Sequence, residues 1–112
     1  MSLETSLQAL LAAVAPAYQD VAKQSQGAPF IVWTEVISSI NNTLLGASNV
    51  QNTRLQIDCY SATPAARQVL ATSVSTAMAN ASFSNVLLST QSLYETETKL
   101  FRCTLDFSVW ST

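Results

Sequence analysis

Apolar residues near the start of the chain recur at helical spacing. Leu3, Leu7, Leu10, Leu11 and Val14 share one face, and Ser2 stands where an N-cap belongs, with Thr5 and Ser6 in the first turn. Pro16 ends or interrupts this run, and Ala17 to Ala22 are expected to add one more helical turn. Gln24 to Pro29 (QSQGAP) reads as a turn. Phe30 to Ile37 is rich in β-branched and aromatic side chains and reads as a strand. Its faces do not sort cleanly, because Val32 and Val36 mark one and Ile31, Trp33 and Ile37 the other. A strand covered on both faces, or one carrying a bulge, has this pattern.

The next stretch, 38–52 (SSINNTLLGASNVQN), is polar, contains Gly46 and keeps no sustained period. It is expected to be a long, flexible hairpin arm, since segments of this length in small domains are either functional or disordered. Thr53 to Tyr60 alternates cleanly: Leu55, Ile57 and Cys59 point one way, and Arg54, Gln56, Asp58 and Tyr60 the other. Thr63 is an N-cap candidate and Pro64 suits the first helical position, where its missing amide hydrogen is harmless. From there Ala66, Val69, Leu70, Ser73, Val74, Ala77, Met78 and Ala81 form a stripe dominated by small residues, which lets a helix lie close on a sheet. Phe83 is expected to close the core beneath the helix end. Val86 to Ser92 reads as a third strand and 94–98 as a polar connection. Lys99 to Trp110 reads as a fourth strand, with Phe101, Cys103, Leu105, Phe107 and Val109 facing the core.

The predicted fold is therefore α+β in the order α-β-β-α-β-β. It is a four-stranded, mainly antiparallel sheet with two helices packed on one face. At 112 residues, 1–112 is expected to be a single domain, long enough to fold without disulfides or metal.

Composition changes the picture in one respect. The charged share is 11%, well under the usual value of about 25%. Uncharged polar residues take its place: 15 Ser, 12 Thr, 6 Asn and 8 Gln. Neutral polar groups lose less on leaving water than ions do, so such a surface favours contact with other protein. Net charge is −2, and the five cations are Lys23, Arg54, Arg67, Lys99 and Arg102. They make no basic face of the kind that phosphate contacts require, so direct nucleic-acid binding by a lone subunit is not expected. No secretory signal or membrane span is read from the start of the chain. Cys59 and Cys103 read as buried, reduced thiols.

Candidate chemistry does not accumulate. The chain has no histidine, which removes the usual general base, the Ser-His-Asp and Cys-His arrangements and zinc sites of the Cys/His type. Two glycines, Gly27 and Gly46, write no phosphate-cradling loop. Asp58 and Asp106 on polar strand faces are read as cross-strand partners of Arg102 or Arg54. Glu95 and Glu97 are read as solvated turn residues. Trp33 is read as core and Trp110, outward near the end of its strand, as interface. No catalytic, metal or cofactor site is expected.

Three blocks carry a resemblance. They are Gly27-Ala28-Pro29-Phe30-Ile31-Val32-Trp33, then Arg54-Leu55-Gln56-Ile57-Asp58-Cys59-Tyr60, and last Leu93-Tyr94-Glu95 through Leu100-Phe101-Arg102 to Leu105-Asp106-Phe107-Ser108-Val109-Trp110. With the opening Met1-Ser2-Leu3-Glu4 they cover nearly the whole chain. In that order they resemble the small tail-completion proteins of tailed bacteriophages and prophages. The segment Ala81-Ser82-Phe83-Ser84-Asn85 departs from the family by replacing a Gly-containing turn.

The resemblance implies structural work without enzyme activity. Members are similar to tail terminators, which form a ring, typically of six subunits, on the head-proximal end of the tail tube, stop its polymerisation and offer a surface to the head connector. The implied partners are further copies of the chain, the tail tube protein and head connector proteins. No cofactor, membrane or sequence-specific nucleic acid is implied. The implied location is the bacterial host cytoplasm during assembly, then the virion tail. Interface candidates are Arg54, Gln56, Asp58, Tyr60, Arg102 and Trp110 at outward strand positions, with Glu95 and Glu97 at the turn. The alternative is a small-molecule binding module or minor enzyme using a similar sheet as a cup, with an apolar cavity of several hundred Å³.

Overall fold

The computed structural model describes residues 3–21, 27–43, 46–81, 83–97 and 99–111. The first helix, α1 (Leu3–Ala12), buries Leu7 and Leu11 and packs Leu10 at the margin of the core, where Val14 of the following turn joins it. It runs out before Pro16, which has no amide hydrogen to continue the ladder. The carbonyl of Pro16 instead accepts the Ile31 amide at 2.8 Å. Residues 17–19 then form β1 (Ala17–Gln19), not the further helical turn expected; of that stretch, residue 22 lies outside the described residues. The physical reason is local. Once proline ends the helix, the freed backbone groups find partners in the neighbouring strand, β2 (Phe30–Thr43), and pair with it in parallel.

The remaining strands are β3 (Gly46–Ser61), β4 (Ser84–Glu95) and β5 (Leu100–Ser111). The sheet order is β1-β2-β3-β5-β4. Four strands alternate in direction and β1 adds a short parallel edge, so the sheet is five-stranded and mixed where four strands were expected.

The ambiguous faces of 30–37 resolve into a bulge. Glu35 pairs with Leu55 and Ile37 with Arg54, leaving Val36 as the extra residue. Beyond it β2 and β3 stay paired, out to Thr43 against Gly46, so the backbone of the expected arm is a two-stranded ribbon; its tip, 44–45, lies outside the described residues. Pairing of β3 with β5 stops at Gln51 against Ser111, and the ribbon's end runs past the sheet.

The second helix, α2 (Pro64–Ala79), starts as its sequence dictates. Thr63 is extended, its Oγ1 accepts the Ala66 amide at 3.1 Å, and Pro64 follows in the first turn. Its buried residues are Leu70, Ala71, Val74 and Met78, whereas Val69 of the expected stripe points to solvent. The helix ends before Ala81, and Asn85 ties the following turn down by donating from Nδ2 to the Met78 carbonyl at 2.9 Å.

Both helices share one core with the sheet face that carries Ile31, Trp33, Leu55, Ile57, Cys59, Cys103, Leu105, Phe107 and Val109. Phe83 packs against that core from its margin, as expected. The two cysteines sit directly opposite each other on β3 and β5, buried and free. Phe101 is only half-buried. Its ring lies 4.8 Å from that of Tyr94, and the Arg67 guanidinium sits 5.4 Å above it.

Candidate functional site

Alternation places a second set of side chains on the sheet face away from the helices. Register aligns Phe30 with Tyr60, Val32 with Asp58 and Thr34 with Gln56 across β2 and β3. It aligns Tyr60 with Arg102, Asp58 with Thr104 and Gln56 with Asp106 across β3 and β5. Sequence positions far apart thereby form one patch.

Asp58 is its centre and is only 7% exposed. Thr104 Oγ1 donates to Asp58 Oδ1 at 2.7 Å, and Gln56 Nε2 lies 3.2 Å from Oδ2. Arg102 Nε is 3.6 Å from Oδ1 and donates to Thr104 Oγ1 at 3.2 Å. Arg102 Nη1 reaches Glu95 Oε2 at 3.1 Å. The Thr104 hydroxyl thus accepts from the cation and donates to the carboxylate, relaying one charge to the other. Burial alone would pull the Arg102 guanidinium down, but Asp58, Tyr60 and Glu95 outweigh it and hold it above its ordinary value. Burial, then Asp58 and Glu95, push the Tyr60 phenol up against the opposing pull of Arg102. Tyr60 also stacks on Phe30, ring centroids 4.6 Å apart and planes 13° from parallel.

Of the eight residues singled out from the sequence, five come together here: Gln56, Asp58, Tyr60, Glu95 and Arg102. Glu95 is the last residue of β4 and is ion-paired, where a solvated turn residue was expected; Glu97 lies exposed in the turn that follows. Arg54 is exposed on the same face, opposite Ser108, and Trp110 is half-buried opposite Asn52. The expected Asp58–Arg102 pair forms, whereas Asp106 accepts from Ser89 Oγ at 2.8 Å. Thr104 and Val32 were missed. An outward threonine directly opposite an aspartate is a signal only once the strand register is known.

This network has the chemistry of a rigid surface and none of a reaction centre. The thiols are equally inert: burial, then Cys103 and Asp58, push Cys59 up to about 12, and burial raises Cys103 too. Among the described residues no group of His, Cys, Asp or Glu is arranged to hold a metal, and no helix is long and apolar enough to cross a membrane. The concavities between elements are grooves open to solvent. One of about 570 Å³ runs between α1 and the β1–β2 edge beside Gln8 and Trp33; another of about 380 Å³ separates α2 from β4.

The first groove adjoins an acidic corner. Burial, then Glu4, and more weakly Asp20, raise the Glu35 carboxyl above 4.5. A raised acid contributes stability that is present below its unfolded value and lost as pH rises through its folded value. Glu35→Gln is therefore expected to raise the urea midpoint at pH 7, with the gain shrinking as pH falls to about 4. Equal gains at both pH values would show that the charge is not the cause.

The fold is that of an α+β protein with a five-stranded mixed sheet. It is shared with a chain of a solved structure described as the virion of a native gene transfer agent (GTA) particle: TM-score 0.73 and 16% identity over 97% of this chain and 93% of that one. No curated protein matches the sequence significantly. The family model described as tail completion protein gp17 matches residues 4–112, and the chain belongs to that family. It is thus a phage tail-completion protein, a structural component of virion tail assembly and not an enzyme.

Proposed function

We propose that the chain caps the head-proximal end of a phage tail tube as a ring, on the family pattern of six copies, and joins the tube to the head connector. Residues 1–112 act as one assembly domain, working in the host cytoplasm until the tail is complete. The observation that carries this reading is the match of residues 4–112 to the tail-completion family, which leaves almost none of the chain for another task. The projecting β2–β3 ribbon supports it, because a ring needs two different patches on each subunit meeting head to tail.

The patch around Asp58 fits this role as a stiff plate. Gln56, Asp58, Arg102 and Glu95 hold one another in place, while Tyr60 and Trp110 on the same face, with Arg54 and Glu97 at the surface, present contact groups to a neighbour or to the tube.

Electron microscopy of tails assembled with and without the protein tests the proposal. With it, tubes of uniform length should carry a ring at one end and accept heads; without it, tubes should be over-long and headless. Tubes of normal length that join heads in its absence would overturn the reading.

A further inference from the structure

The twelve charged residues of this chain are unevenly placed. None falls in 36–53 and none in 68–94. These two stretches contain all of the edge strand β4 but its last residue, and most of the part of β2 that the short edge strand β1 does not cover. β4 pairs only with β5, and no described strand pairs with the outer edge of β2 beyond Trp33. Exposed strand edges normally carry charges or proline that stop other strands from adding to them. Here β4 runs twelve residues, Ser84–Glu95, without proline and without a charge before Glu95, and most of its residues are exposed. Past Glu35 the β2 edge is likewise free of charge and proline as far as Thr43. Register breaks at Val36, between Ile40 and Asn42 and at Leu88 leave Ile37–Ile40 and Ser89–Tyr94 as the regular stretches.

We propose that these two edges are the two halves of one interface: the β2 edge of one copy adds to the β4 edge of the next, continuing the sheet from subunit to subunit. Strand direction favours this partner. Because β2, β3, β5 and β4 alternate, β2 and β4 run in opposite senses, so a head-to-tail neighbour brings β2 beside β4 antiparallel. The groove beside β4 supplies the rest. α2 stops short of this strand, leaving Thr90 and Ser92 facing Thr72, Ser75 and Thr76 over a floor of Cys103 and Leu105. A strand added at β4 would lay alternate side chains into that groove, and neither stretch carries a charged residue of its own; Arg67 Nη1 donates to the Leu93 carbonyl at 3.2 Å, so Ser89–Ser92 is the part of the edge clear of a cation. The inference rests on the ring proposed above and names the surface that closes it.

Two edge variants test it: Thr90→Lys/Gln91→Lys on β4 and Ser39→Lys/Ile40→Lys on β2, with Val69→Lys on the exposed side of α2 as a control. Each is examined by circular dichroism for folding, by sedimentation alone and as a 1:1 mixture, and by microscopy on tail tubes. The expected result is that wild type and the control form rings in solution or on tubes, and that each folded edge variant forms none. The mixture should yield 1:1 heterodimers that go no further, because one intact β2–β4 contact remains between the two variants. Rings formed by either folded edge variant overturn the interface and leave tail capping standing. A β2 variant that still associates while the β4 variant does not points to β4 pairing with itself, and also overturns it. Wild type that associates neither in solution nor on tubes overturns the ring reading and this inference together.

Discussion

Replacing Trp33 with alanine is expected to destabilise the fold by about 3–5 kcal/mol, the usual range for truncating a fully buried large aromatic residue. Trp33 is 1% exposed, the largest of the fully buried side chains, and it joins three elements. Its ring lies in the core shared by α1, α2 and the sheet, and its Nε1 donates to Gln8 Oε1 at 2.8 Å. Gln8 Nε2 in turn donates to the Ala17 carbonyl at 2.7 Å, so one glutamine on α1 ties β2 to β1. Alanine would leave a cavity and remove the donor that Gln8 accepts from. Trp33→Phe keeps most of the volume and loses that hydrogen bond, so a smaller cost of about 1–2 kcal/mol is expected. Urea unfolding of both variants checks the order. A Trp33→Phe loss as large as that of Trp33→Ala would show that packing at this site is not the main term.

Asp58→Ala is expected to cost about 2–4 kcal/mol, because removing one partner of a buried charge pair leaves the others unsatisfied. The variant takes the acceptor from the Thr104 O–H and the Gln56 amide and strips Arg102 of one of its two carboxylates; Glu95 keeps the other end of the guanidinium satisfied, which caps the loss. Coupling is the sharper readout. Asp58→Ala combined with Thr104→Val should cost less than the sum of the two single changes, since each already breaks the same hydrogen bond. Strict additivity in urea unfolding would mean that the 2.7 Å contact contributes nothing measurable. The change should also loosen the plate on which Tyr60 and Arg102 sit, so under the proposed function slower tail capping is expected even where the subunit remains folded.

Several elements were legible before the fold was known. Thr63 and Pro64 announce α2 through local chemistry alone, an oxygen that accepts an orphan amide and a ring already fixed near helical φ. Strict alternation in 53–60 and 99–110 marks β3 and β5 and assigns their faces correctly. The irregular faces of 30–37 leave open a bulge or cover on both faces, and the register places a bulge at Val36. The failures share a cause. Ala17 and Gln19 favour helices, yet residues 17–19 become β1 because β2 offers a ladder to them. Val69 fits the helical stripe, but the helix is rotated so that Ala71 faces the core instead. The hairpin arm expected at 38–52 is a two-stranded ribbon, although its sequence keeps no alternation that marks the two strands.

The absence of catalytic equipment and the low, clustered charge are properties of the sequence alone. Residue type decides which side chains can act as bases, ligands or gatekeepers, whatever the fold. Local periodicity and capping likewise determined two helices and the faces of the central strands, because those signals act within a few residues. The tertiary structure decided everything that depends on register. It set Asp58 against Thr104 and Arg102, turned a segment after Pro16 into a fifth strand, and left the part of β2 that β1 does not cover and β4 on opposite sides of one sheet, free of charge over 36–43 and 84–94. Hydrogen bonds between strands join residues tens of positions apart, and no short-range pattern carries that information.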